Sequence, residues 1–258
     1  MNHFRLSPHQ SRHHSSHHRS RAARAGLLAV ALAAASLVHA HDHPADGIQS
    51  AGSAAVKPAH DILHARITTK GRVAIFHMHV AGQAGAIKPA ATGQLAGSTV
   101  HSYVWPTTID PAAVGFEPRS GTLALAVTSH PDFDDTPLFP APLGAWHSHW
   151  VVLQPDDACG PGALKVVDIP PGTTPKLPKT WPGLPLLIDS PGWAPRFDGP
   201  SLEVQVPFDD IGLVQAASFD AVTAALRVHA SMHQPLLCVV DVFKVASGKL
   251  TLPGRVDR

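Results

Sequence analysis

Apolar and polar residues alternate with period two along much of the chain beyond residue 58, the pattern of strands that bury one face. Within residues 72–80, "VAIFHMHV" sets Ala74, Phe76, Met78 and Val80 on one face and Val73, Ile75, His77 and His79 on the other. Within 146–154, "WHSHWVVL" sets His147, His149, Val151 and Leu153 against Trp146, Ser148, Trp150 and Val152. Short runs rich in β-branched residues extend the series, predicting strands at 62–68, 72–80, 99–105, 122–129, 146–154, 164–168, 202–207, 221–231 and 236–245. Turn chemistry separates them ("TKGR", "PRSG", "CGPG", "IPPG", "DSPG", "ASGK"). The helical rival is 209–231, and "VTAALRVHAS" within it alternates like a strand. About nine short strands without an internal repeat predict an all-β fold, a single antiparallel β-sandwich spanning 58–258. Residues 169–200, with nine prolines, read as a long loop or covering flap. Residues 41–57, small, polar and aperiodic, read as a flexible lead-in.

Composition adds a location. Residues 1–24 carry Arg5, Arg12, Arg19, Arg21 and Arg24 and no acid, and an apolar run, "AGLLAVALAAASLV", follows to residue 38. The run ends on small Ala40 and is shorter than the ~20 residues of a membrane span, so 1–40 reads as a signal peptide. The expected destination is the periplasm or the exterior. Cleavage after Ala40 leaves 15 basic and 19 acidic residues, which with no basic block argues against nucleic-acid binding. It also removes the histidines of "SPHQSRHHSSHHRS" from consideration. An exported chain with two cysteines, Cys159 and Cys238, is expected to pair them.

The two His-x-His strands carry the candidate chemistry. Imidazoles two residues apart stand on one face of a strand, where they offer two nitrogens to zinc or copper. The competing reading is histidines hydrogen-bonded at a sheet surface. If strands 72–80 and 146–154 were antiparallel neighbours, matching their faces would set His77 opposite His149, His79 opposite His147 and Phe76 opposite Trp150. His101, on a strand with Tyr103 and Trp105, His130, just before "PDFDD", and His233, beside the thioether of Met232, are further candidate ligands. His229 shares its face with cationic Arg227 and ranks low. "DFDDT" (132–136) lacks the EF-hand spacing and reads as a solvated acidic loop.

The spacing of His77, His79 and His101 is similar to that of the three zinc ligands of α-type carbonic anhydrases. His41, as a first mature residue, resembles the copper-holding residue of lytic polysaccharide monooxygenases. No other motif of either family is present. The function expected is an exported protein that sequesters or carries copper or zinc, with a metal donor or acceptor protein as its partner. The alternatives are a metal-dependent secreted enzyme, or a carbohydrate- or protein-binding sandwich that presents its tryptophans.

Overall fold

Every strand that the alternation predicts is present in the computed structural model, which describes residues 47–229 and 236–258. In chain order the strands are β1 (Ile48–Gln49), β2 (Ile62–Lys70), β3 (Val73–Val80), β4 (Thr99–Pro106), β5 (Thr122–Ser129), β6 (His147–Pro155) and β7 (Leu164–Val166). They continue with β8 (Ile188–Asp189), β9 (Arg196–Asp198), β10 (Ser201–Pro207), β11 (Ser218–Phe219), β12 (Val222–Val228), β13 (Leu237–Val245) and β14 (Gly254–Arg255). Of the rival helix only α1 (Ile211–Gln215) forms, its first turn capped by the Asp210 carboxylate. The described residues lie in one compact unit, His43–Arg258. None of their helices is long and apolar enough to cross a membrane. The expected signal peptide and His41 fall outside the described residues.

One antiparallel sheet runs β1-β2-β3-β10-β9, and a second runs β5-β4-β12-β13-β7-β6-β8. The second sheet does not stay open. β5 also pairs with β6, from Thr122–Leu153 to Thr128–His147, so six of its strands close into a barrel with β8 on the edge of β6. This closure departs from the expected sandwich, and side-chain size accounts for it. The inward positions of neighbouring β4, β5 and β12 include Ser102, Ala126 and Ala224, small enough for the walls to curve together.

The barrel gives two cores. Tyr103, Trp105, Leu123, Leu125, Val127, Trp150 and Val152 point outward from its wall and meet Phe76, Met78, Leu202 and Val204 of the other sheet. Phe76 sits edge-on between Trp105 and Trp150, with ring centroids 5.9 and 5.8 Å away. The alternate residues Val100, Val104, Val151, Leu153 and Leu226 line the inside. A slip of one residue in β4, β5 or β6 would exchange the two cores, so the alternation fixes the register.

The lead-in is not free over its whole length. Ile48 is buried and β1 pairs with β2 through Ile48–Ala65 and Gln49–His64, so packed structure begins before residue 58. The proline-rich segment acts as a covering flap: β8 adds to β6, β9 adds to β10, and Leu186 and Ile188 join the barrel interior.

The barrel is thinnest between β13 and β7, which share the single pair Cys238–Lys165. That seam is where the disulfide falls. Cys159 and Cys238 are bridged as expected, closing 79 residues of chain. Beside it the Leu236 amide donates to Asp168 Oδ1 at 2.9 Å, while Lys165 pairs with Asp156 and Asp168 on its own side of the seam at 2.9 and 3.1 Å. A bridge across a one-pair seam holds the closed sheet as well as restricting the unfolded chain. Thiol titration under denaturing, non-reducing conditions is expected to find no free cysteine. Replacing both cysteines with serine is expected to cost about 2–5 kcal/mol in urea unfolding. An unchanged midpoint would show that the seam does not depend on the bridge.

Candidate metal centre

At one end of the barrel β5 finishes and β6 begins, and that end collects histidine. His147 and His149 point inward from the first turns of β6, and His130 follows directly on β5. The connection between these strands turns back over the opening and lowers Asp135 among the three rings. Ligand atoms of His130, Asp135, His147 and His149 all lie within 4.8 Å of one another, a group that could hold a metal ion. Asp135 Oδ1 is 3.0 Å from His147 Nε2, and its Oδ2 is 3.2 and 3.3 Å from Nε2 of His130 and His149. His130, Asp135 and His149 are buried, and the His147 side chain is 13% exposed.

The far side of each ring explains the convergence. Nδ1 of His130 lies 3.0 Å from the Phe133 carbonyl and Nδ1 of His147 lies 2.9 Å from the Ala145 carbonyl. Nδ1 of His149 meets the Asp189 carbonyl at 3.2 Å and Ser190 Oγ at 3.1 Å. A carbonyl only accepts, so each Nδ1 carries the proton and donates. The Nε2 atoms then face one another and a carboxylate, the arrangement in which outer hydrogen bonds aim histidines at a metal.

Without a cation such a set is unstable. His130 Nε2 and His147 Nε2 are 3.1 Å apart, and two lone pairs at that distance repel unless a proton or metal lies between them. The protonation balance supplies the proton. Burial alone would lower the His147 pKa, but the hydrogen bond and charge of Asp135 raise it above the usual histidine value. Burial pushes Asp135 upward, but the His149 ring and the bonds from His130 and His147 outweigh it and hold the carboxyl well below its usual range. Burial depresses His149 to about 4, so its ring is neutral at pH 7. His149 Nε2 is buried and makes no hydrogen bond. A divalent ion entering the group would thus find an ionised carboxylate and a free imidazole nitrogen, and would displace one proton from His147.

Two of the expected ligands, His147 and His149, belong to this group; His77, His79 and His101 do not join it. β3 pairs with β2 and β10, whereas β6 pairs with β5, β7 and β8, so the proposed His77–His149 register does not form. The matching character of the two strands came from facing different environments, not each other. Phe76 does meet Trp150, but between the sheets rather than along a ladder. His77 and His79 lie on the outer face of β3. His77 is opposite Arg66 and Glu203, and His79 Nδ1 is 3.2 Å from Ser201 Oγ. His101 points out of the barrel, its Nδ1 3.3 Å from the Ile87 carbonyl and its ring edge-on to His60 at 5.3 Å. The carbonic-anhydrase-like spacing therefore assembles no ligand group among the described residues. His233 and Met232 lie outside them.

His130 and Asp135 complete the group; the sequence offers His130 as one more histidine that could complete a shell, but Asp135 reads there as part of a solvated loop. "DFDDT" is not uniformly solvated. Asp132 is part-exposed and binds the Thr92 and Gly93 amides, exposed Asp134 binds the Thr136 amide and hydroxyl, and Asp135 alone turns in, 4% exposed. The available signal was one histidine at a strand end, five residues before an acid and seventeen before His147.

No protein-family model, curated protein or solved structure matches the chain.

Proposed function

We propose that the protein is an exported zinc-binding protein that holds one ion between His130, Asp135, His147 and His149. The observation that carries this reading is the pairing of all three Nδ1 atoms with oxygen acceptors while the Nε2 atoms and a carboxylate converge. Ligands roughly 2.0–2.1 Å from a tetrahedral zinc lie about 3.3 Å apart. The contacts of 3.0–3.3 Å around Asp135 are close to that spacing before any ion draws the rings inward. Three imidazoles and a carboxylate, with no sulfur among them, suit zinc better than Cu(I). Four protein ligands close the shell, which favours sequestering or carrying the ion over activating water on it. The disulfide fits an oxidising compartment, in keeping with export.

Metal analysis of protein purified without a His-tag tests the reading. One equivalent of zinc is expected, and His149→Ala is expected to weaken binding by more than about 100-fold, beyond the usual effect of an outer hydrogen bond. Full retention by His149→Ala would overturn the assignment. His77→Ala and His101→Ala are expected to leave the zinc content unchanged.

A metal-dependent enzyme is the second reading, favoured by one observation: His130, Asp135 and His149 also line a cavity. The tryptophan-presenting alternative has less support, because Trp105 and Trp150 are fully buried between the sheets.

A further inference from the structure

The barrel interior is hollow. A cavity of about 450 Å³ runs from His130, Asp135 and His149 toward the far end of the strands. This is within the usual range for small-molecule pockets. A six-stranded barrel would ordinarily be filled by its own side chains. Here Ser102 and Ala224, paired between β4 and β12, and Ala126, diagonal to Ser102 on β5, leave the middle open. Ser102 Oγ is already committed to the Ala224 carbonyl at 3.0 Å, so it adds little polarity. Around this space the wall is Val, Leu, Ile and Ala, and the one carboxylate on it is Asp135. The cavity is thus apolar along its length and polar at the metal group. At the end away from that group, Val242 and Leu250 both line the cavity and reach solvent, being 55% and 43% exposed. They offer an apolar entrance.

Charge selects the occupant. Zinc with one carboxylate and three neutral imidazoles retains a single net positive charge, facing a space that contains no other ion. We propose that the cavity binds an aliphatic monocarboxylate, its chain along the barrel and its carboxylate paired with the positively charged metal group. This inference rests on the zinc reading of the same site. An anionic head would neutralise the centre, and the chain would bury its methylenes against Val104, Ala126, Val151, Val222 and Leu226. A neutral amphiphile would leave the charge unmatched, and a dianion would overshoot it in a low-dielectric setting.

The test is calorimetric titration of the tag-free protein with saturated monocarboxylates of eight to sixteen carbons. The protein is assayed zinc-loaded and chelator-stripped, with zinc content measured throughout. The loaded form is expected to bind one equivalent, with affinity rising about fourfold per methylene until the cavity is full. The stripped form, and 1-alkanols of equal length, are expected to bind at least tenfold more weakly. Ala224→Phe fills the cavity away from the metal group and is expected to abolish carboxylate binding while keeping one equivalent of zinc. Ala126→Leu is the milder substitute if that variant does not fold. Zinc at one equivalent with no carboxylate bound would overturn this inference and leave the metal reading standing. So would carboxylate affinity indifferent to zinc or to cavity filling. Failure to take up zinc would instead overturn the metal reading, and this inference with it.

Discussion

Zinc added to the chelator-stripped protein is expected to raise its melting temperature by roughly 10 °C at a thousandfold excess over Kd. Binding to the folded state alone stabilises by about 4 kcal/mol at that excess. For a domain of this size each kcal/mol is worth about 2–4 °C. The selectivity for the folded state follows from chain separation. His130 and Asp135 lie in the β5–β6 connection and His147 and His149 on β6, and their orienting carbonyls include Asp189 in the proline-rich flap. Unfolding scatters the acceptors that aim the rings, so a loose His-x-His pair is all that remains to bind the ion. Asp135→Asn is the most informative variant. It keeps size and a ligand oxygen, but removes the negative charge that balances the ion and that, ahead of Asp134, raises the His147 pKa. Differential scanning calorimetry is expected to show the zinc-induced shift reduced to a few degrees in Asp135→Asn and absent in His149→Ala. A shift of full size in both variants would place the ion elsewhere.

Face assignments were legible in the sequence because they depend on parity alone. The inward sets of β3 and β6 are those that alternation gave, since any strand with one buried side must show them. Partnership was not legible. Pairing β3 with β6 satisfied every match of residue character, yet both strands present apolar-to-imidazole faces for unrelated reasons. His77 and His79 are on the outer face of an open sheet, whereas His147 and His149 are inside a closed one. Closure itself depends on the sizes of Ser102, Ala126 and Ala224 at inward positions of three neighbouring strands. Those sizes inform only once the strand order is known. Asp135 was hidden differently. It belongs to an irregular connection, where no period distinguishes the buried acid of "DFDDT" from its two solvent-facing neighbours. The disulfide was legible because cysteine count and export predict a bridge without reference to geometry.

Acid is expected to destabilise the metal-free protein well before its carboxylates protonate. His149, already held near 4, contributes to this, and two histidines outside the metal group add to it. His60 is stacked on Phe243 at 4.4 Å, and burial, with smaller contributions from His101 and Lys57, lowers its pKa from 6.5 to about 4. Burial likewise lowers His77 from 6.5 to about 4, aided by Arg66, His64 and His79 and opposed by Glu203. Neither His60 Nε2 nor His77 Nδ1 has a hydrogen-bond partner, so no acceptor waits for an added proton. The sign follows from which state binds the proton first. The unfolded chain protonates these rings near 6.5 and the folded protein only near 4, so between those values the unfolded state holds more protons. Stability is therefore complete above about pH 6.5 and lost as pH falls toward 4. Each ring contributes at most about 1.4 kcal/mol per pH unit in that window, less for half-buried His77, where solvent screens the charge. Melting temperature followed against pH in a chelator measures the slope. His60→Phe keeps the stack on Phe243 and removes one titrating ring, so its slope between pH 6.5 and 4 is expected to be shallower by about one proton. An unchanged slope would show that His60 stays neutral in both states or is already charged when folded.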